Sequence, residues 1–136
     1  PEAHPEALSL IWEVFSQFEA PEYSEEGIRE FRSVLENRER LRAMRFYGAY
    51  ENGALVGVLS MRKPQHINFF FVRADRHRRG IGRRLFEAMK ADYAMPEFTV
   101  NSAPYAVDIY RHLGFAETGP EQTINGIRFT PMVFHG

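Results

Sequence analysis

The chain has 136 residues, a net charge of −1 at pH 7, 44% hydrophobic and 26% charged residues, and no cysteine. That length suits one domain with a sizeable core, and near-neutral charge provides no overall field toward nucleic acid or an anionic membrane surface. Without cysteine there is no disulfide, no thiolate metal ligand and no thiol nucleophile, and a cytoplasmic location is the expectation.

Residues 5–18 carry helical spacing, with Leu8, Ile11, Trp12, Phe15 and Phe18 on one side and Pro5 in the first turn. The pattern breaks around Glu19–Tyr23. Ser24 is placed to cap a second helix whose first turn holds Glu25 and Glu26, and Ile28, Phe31 and Leu35 give it an apolar edge. The charge-rich continuation, Glu36–Arg42, reads as a solvated face. From Arg45 the period changes: Phe46–Tyr50 and Leu55–Met61 read as strands joined at Asn52–Gly53, a strong hairpin signal. A turn at Lys63–Pro64–Gln65 leads to a third strand, His66–Val72, antiparallel to the second.

That strand runs through a short arginine-dense turn into a helix, in which Ile81, Leu85, Met89 and Tyr93 recur every four residues. Arg78, Arg79, Arg83 and Arg84 crowd its N-terminus, around Gly80 and Gly82, with Arg73 and Arg76 upstream. Cations are misplaced at a helix N-terminus, by roughly 0.3–1 kcal/mol each at an exposed site. A multiply charged anion bound on the free N–H groups offsets that cost; a solvated basic turn is the plain alternative.

The helix ends near Ala94–Met95–Pro96. Phe98–Asn101 then reads as a strand parallel to His66–Val72, since it follows a strand–helix unit. Pro104 opens a further helix in which Ala106, Ile109, Tyr110 and Leu113 share a face, and Gly114 supplies its left-handed end. A two-strand section follows, turning at Asn125–Gly126 and finishing with Ile127–Phe134, whose free edge offers a surface to a second copy of the chain. The order describes one α/β domain over residues 1–136, a mixed sheet with helices on its faces.

Other chemistries lack their residues. A P-loop would end in Lys-Ser/Thr, and a dinucleotide fingerprint would place glycine where Leu85 stands. His4, His66, His77, His112 and His135 are scattered without ligand spacing, so no metal is expected. No GxSxG elbow is present. The small polar stretch Asn101–Ser102 instead stands where a parallel strand ends, the usual ligand edge of an open α/β sheet.

Two motifs carry a family resemblance. Val72-x4-His77-Arg78-Arg79-Gly80-Ile81-Gly82 resembles the acyl-CoA pyrophosphate loop of the GNAT N-acetyltransferases, usually Gln/Arg-x-x-Gly-x-Gly/Ala after a strand ending in Val. Asn101…Ala106-x-x-x-Tyr110-x-x-x-Gly114-Phe115 resembles their second block, in the right order and at the usual separation. The resemblance covers about residues 45–135 and departs at His77, which occupies the Gln/Arg position. The family's first strand, which precedes its first helix, is absent from a chain beginning at Pro1, so that strand is expected to be lost or supplied otherwise.

The resemblance implies a GNAT-like fold and acetyl-CoA as acetyl donor, lying where strands His66–Val72 and Phe98–Asn101 splay apart. Phe71–Val72 would pair with the pantetheine arm. Backbone groups of Arg78, Arg79, Gly80, Ile81, Gly82 and Arg83 would wrap the pyrophosphate, with Asn101 on the donor's side of the cleft. Transfer would pass directly to a primary amine of a small molecule or peptide, with Tyr110 as general acid toward the leaving thiolate. His66, set on the face of Val72 by the period-two rule, is the candidate base, with a water chain as the alternative. Glu19, Glu22, Tyr23, Glu25, Glu26 and Tyr105 would shape the acceptor pocket. The competing readings are a non-catalytic acyl-CoA binder and a nucleic-acid module, the second disfavoured by the net charge.

Overall fold

Three consecutive phenylalanines, Phe69–Phe71, put apolar rings on both faces of one strand, and a layer of helix covers each face. The structure, a computed structural model, describes residues 5–62, 65–73, 80–93 and 97–135. In chain order these form α1 (Pro5–Phe18), a 3-10 turn (Ala20–Glu22), α2 (Glu25–Leu35), α3 (Arg38–Arg42), β1 (Arg45–Glu51), β2 (Ala54–Arg62), β3 (His66–Val72) and α4 (Ile81–Asp92). β4 (Glu97–Ser102), a second 3-10 turn (Pro104–Ala106), α5 (Val107–Leu113), β5 (Ala116–Glu117), β6 (Gln122–Ile124) and β7 (Ile127–His135) complete them. The sheet runs β1-β2-β3-β4-β7-β5, with β6 on β7, and only β3 and β4 are parallel. This is the expected α/β domain with a mixed central sheet and helices on both faces.

Leu10, Ile11, Val14 and Phe15 of α1 pack with Leu41 on Val58, Phe69 and Phe71. On the other face Ile81, Leu85, Phe86 and Met89 of α4 join Tyr110 of α5 over Val56, Leu59, Ile67, Phe98, Val100 and Met132. Alternation along each strand feeds both layers. α4 lies so close to β2 that an added Cβ at Gly57 would stand 3.0 Å from Ile81.

Four local readings are corrected. Asn37 accepts a hydrogen bond from Arg40 N at 3.1 Å, so the second helical segment breaks there; α3 then docks through Leu41, 4% exposed, and is not only a solvated face. Ile109 is 49% exposed, because α5 turns only its Tyr110 side to the core. The end of the chain holds three strands, and β7 is covered on both sides, by β4 on one and by β5 and β6 on the other. The free edge read at Ile127–Phe134 is therefore absent, and β1 forms an end of the sheet instead.

The fourth correction concerns β3. Ser60 pairs with Phe69 and Met61 with Ile67, leaving Asn68 as an extra, bulged residue. The buried Ser60 hydroxyl accepts from Phe69 N at 3.2 Å and keeps the broken ladder satisfied. One inserted residue flips every later side chain. Ile67, Phe70 and Val72 consequently face α4, whereas Phe69 and Phe71 face α1. By the same alternation His66 lies on the face opposite Val72.

The turn of the β6–β7 hairpin rests on the start of α2. There Ser24 caps Gly27 N at 3.2 Å, and a Cβ at Gly27 would stand 2.2 Å from the Gly126 carbonyl oxygen. Helix propensity alone would make Gly27→Ala stabilising by up to about 1 kcal/mol. Overpacking against backbone costs roughly 1–3 kcal/mol and should win. Urea denaturation of Gly27→Ala should therefore show a lower midpoint than the parent; a higher midpoint would mean that the hairpin does not sit on α2.

Candidate active site

β3 and β4 are paired at two positions only, His66↔Thr99 and Ile67↔Val100. Beyond them β3 continues through its bulge to Val72 and β4 continues to Ser102, so the two strands part into a wedge. Backbone groups facing such a gap need a partner other than strand. The Asn68 side-chain oxygen is buried with no hydrogen-bond partner among the described residues. Asn101 is exposed where β4 leaves the wedge.

The N-terminus of α4 stands beside the same gap. Gly80 precedes it with φ +77°, a left-handed conformation that favours glycine, and no side chain caps the helix. Gly82 rests over β3, since a Cβ there would lie 3.6 Å from the Phe70 ring. Uncapped first-turn N–H groups at Ile81, Gly82 and Arg83 can hold an anion, while the Phe71–Val72 backbone can hold an extended chain. Arg83 donates its guanidinium to the His112 carbonyl at 2.8 Å, tying α4 to the end of α5. His77, Arg78 and Arg79 lie outside the described residues, as do Arg76, the Lys63–Pro64 turn and Ala94–Pro96.

Tyr110 closes the wedge from the α4 side. Gly114 ends α5 with φ +110°, and Phe115 N bonds back to the Tyr110 carbonyl at 3.0 Å. The Tyr110 ring meets Phe70 at 5.8 Å and Phe115 at 5.3 Å, both edge-on. The residue is 7% exposed. Burial pushes its phenol well above the usual value of 10, and the neighbouring Tyr105 and Glu19 raise it further. The group keeps its proton at neutral pH.

The end of α1 reaches this side. Phe18 stacks on Tyr105 at 5.5 Å, and Glu19, 8% exposed, accepts from the Tyr23 hydroxyl at 3.3 Å. Tyr23 also approaches the Arg128 carbonyl at 3.5 Å and packs on Phe15 at 5.5 Å. Of the residues read as an acceptor pocket, Glu19, Tyr23 and Tyr105 gather near Tyr110. Glu25 and Glu26 stay exposed at the start of α2, and the Glu22 side chain lies outside the described residues.

His66 is elsewhere. It sits at the paired end of β3 with Nδ1 2.8 Å from Thr99 Oγ1, and burial, then Arg62, lower its pKa to about 4. Phe70 is four residues on, about 13 Å along a strand. Ser60, which holds the bulge, was missed by sequence reasoning. The one signal was a hydroxyl inside an otherwise apolar run. Among the described residues no group of three or more His, Cys, Asp or Glu could hold a metal, and no helix is long and apolar enough to cross a membrane.

Comparison with known proteins agrees with this geometry. The family model described as an acetyltransferase (GNAT) domain matches residues 19–135. No curated protein matches the chain. Among solved structures, a GCN5-related N-acetyltransferase from Rhodopseudomonas palustris, named in full as an aminotransferase, class-II, superposes with a TM-score of 0.73 at 21% identity, over 97% of this chain and 86% of that one. YjaB from Escherichia coli, in its apo form, gives 0.74 at 22% identity, over 97% and 90%. The PaiA N-acetyltransferase of Thermoplasma acidophilum, solved with coenzyme A, gives 0.65 at 17% identity, over 98% and 91%. At these identities the likeness is one of fold.

The half-buried imidazole of His66 makes stability depend on pH. Its unfolded pKa is near 6.5 and its folded value about 4, so the unfolded chain binds the proton first. Stability is full above about pH 6.5 and falls as pH drops toward 4, by on the order of 1–3 kcal/mol after allowance for partial solvent screening. Urea midpoints measured at pH 7 and pH 4.5 should differ less for His66→Gln than for the parent. An equal drop in both would place the proton-linked loss elsewhere.

Proposed function

The chain belongs to the GNAT family of acetyltransferases, and from that premise we propose that it transfers an acetyl group from acetyl-CoA directly to a primary amine of a small molecule or peptide, with Tyr110 as the general acid. The observation that carries this reading is the parting of β3 and β4 beside a buried Tyr110 whose phenol keeps its proton.

The family uses acetyl-CoA, and the wedge suits its shape. Backbone N–H groups of Gly80, Ile81, Gly82 and Arg83 would receive the pyrophosphate, joined by His77, Arg78 and Arg79 on the strength of the sequence motif. Phe71 and Val72 would offer β-type hydrogen bonds to the pantetheine arm, whose amides replace the missing strand, and Asn101 would line the opposite wall. No metal is needed, because the thioester is already activated.

In the transfer, the lone pair of a neutral amine attacks the thioester carbonyl carbon. The C–N bond forms, the C–S bond breaks, and sulfur takes the Tyr110 phenolic proton. The amine loses one proton, which returns to the phenolate and leaves Tyr110 as it began. Absence of cysteine excludes a thiol-linked acetyl-enzyme. His66 is a poor base for this step: its pKa is about 4, its ring is held by Thr99, and it lies at the other end of β3.

Two measurements test the reading. Calorimetry should show acetyl-CoA binding, with ATP and NAD failing to compete. Tyr110→Phe, nearly equal in volume, should bind acetyl-CoA within about twofold of the parent yet lose roughly 10²–10⁴-fold in kcat for CoA release across an amine panel. Unchanged turnover would remove Tyr110 from the chemistry. Binding without CoA release from any amine would establish the rival reading, a non-catalytic acyl-CoA binder.

A further inference from the structure

We propose that the cleft between α3, the start of β1 and the end of α4 is a second binding site, taking a phosphate monoester carried on a flat apolar body. Arg45 opens β1 beside Met61, and Arg62 closes β2 opposite His66, so the cleft lies at the end of the sheet away from Val72 and the wedge. α4 has 12 residues, which puts about 18 Å of helix between the Gly80 turn and this end. The cleft has a volume of about 560 Å³, within the range of roughly 300–1,000 Å³ usual for small-molecule sites.

Three separate elements bring charge to it. Arg40 comes from α3, Arg45 from β1 and Arg62 from β2, and no carboxylate is among the described residues that line the cleft. Buried Leu41 docks α3 on the core and so fixes the neighbouring Arg40 at the rim. The packing here is carried by Leu41, Met44 and Met61, while all three arginines are exposed, so their convergence is no by-product of the core. Two negative groups oppose an anion. Asp92 approaches Arg45 at 3.6 Å and also accepts from the Tyr47 hydroxyl at 2.8 Å, and the C-terminal end of α4 adds roughly half a negative charge. Together they offset only part of three guanidinium charges, and the cleft stays positive.

The lining also describes the ligand. Each guanidinium presents a planar fork of donors that matches phosphate oxygens, and three of them suit a doubly charged head better than a single carboxylate. The apolar wall consists of Met44, Met61 and Tyr93. Met44 is held in place by the Ser60 hydroxyl, which donates to its Sδ at 3.6 Å. Methionine adapts to the shape of what it meets, and a tyrosine ring offers a face for stacking. The Arg45 guanidinium stands 5.8 Å from the Tyr93 ring centroid, so charge and ring are side by side. An oxyanion joined to a flat apolar body uses both.

The test uses the whole chain with 1-naphthyl phosphate as probe, and inorganic phosphate and 1-naphthol as its separate halves. Calorimetry should show one saturable site for the ester, with either half binding about tenfold or more weakly. Arg40→Gln and Arg62→Gln should each weaken the ester by about tenfold, the loss of one charge-assisted pair. Arg38→Gln, on the same helix but outside the cleft, should leave its affinity unchanged. With the methionine methyls labelled, the probe should shift Met44 and Met61 and leave Met132, in the core beside β4, unmoved. This readout needs no variant and decides alone if a substituted chain fails to fold. Acetyl-CoA should leave the ester's affinity unchanged, because the two sites are apart. Inorganic phosphate binding as tightly as the ester, affinity indifferent to Arg40 and Arg62, or no saturable binding would overturn the proposal and leave a solvated basic surface. Displacement of the probe by acetyl-CoA with Met44 and Met61 unmoved would put it in the wedge and overturn the proposal equally. Failure of acetyl-CoA to bind would count against the transferase reading alone.

Discussion

The functional end of this molecule depends on a parallel ladder that stops after two pairs. Buried backbone N–H and C=O groups are almost always satisfied, and a strand edge left facing another strand invites a partner. Here β3 and β4 separate beyond Ile67 and Val100 while their outer edges stay paired, β3 with β2 on either side of the Asn68 bulge and β4 with β7. The sheet therefore tolerates the gap without losing its core. The bulge at Asn68 adds local twist at the point of separation, and the Ser60 hydroxyl supplies the hydrogen bond that the shifted register would lose. A wedge built in this way is a property of backbone pairing, and side chains only decorate it.

Aromatic packing keeps the pieces around the wedge in place. Phe86 of α4 meets Phe98, Phe115 and Phe134 at 5.1–6.1 Å, so one buried ring joins α4, β4, the end of α5 and β7. Aromatic contacts of this kind, edge-on to Phe98 and Phe134 and tilted to Phe115, contribute roughly 0.5–1.5 kcal/mol each beyond their area burial. Tyr110 hangs from the same cluster through Phe115. Its position relative to the start of α4 is thus set by core packing and by the Arg83–His112 bond, with no need of a bound ligand. For the proton delivery proposed for Tyr110, such preorganisation is an advantage.

The parts of the fold that were legible in the sequence are those with local causes. Asn52–Gly53 and Asn125–Gly126 announce hairpins because both residues of each turn adopt positive φ, from 51° to 83°. Ser24 and Gly114 announce helix ends because capping is a one-residue event. The bulge was illegible for a plain reason: Phe69, Phe70 and Phe71 are apolar on both faces, so no alternation records the extra residue. β5 and β6 span only two and three residues, all exposed, and carry no period from which a covered β7 could be inferred. At the site, the glycine turn and Tyr110 stand in motifs, whereas the gathering of Glu19, Tyr23 and Tyr105 is a product of tertiary packing. The ordinary pKa of His66 suits a base, and the shift to about 4 comes from burial, which no sequence pattern records.

Desolvation moves the two proton-bearing groups of β3 and α5 in opposite senses with one outcome. It strips the proton from His66 and fixes the proton on Tyr110, so both are neutral at pH 7. For Tyr110 the neighbouring Glu19 charge adds to the effect by disfavouring a second anion nearby.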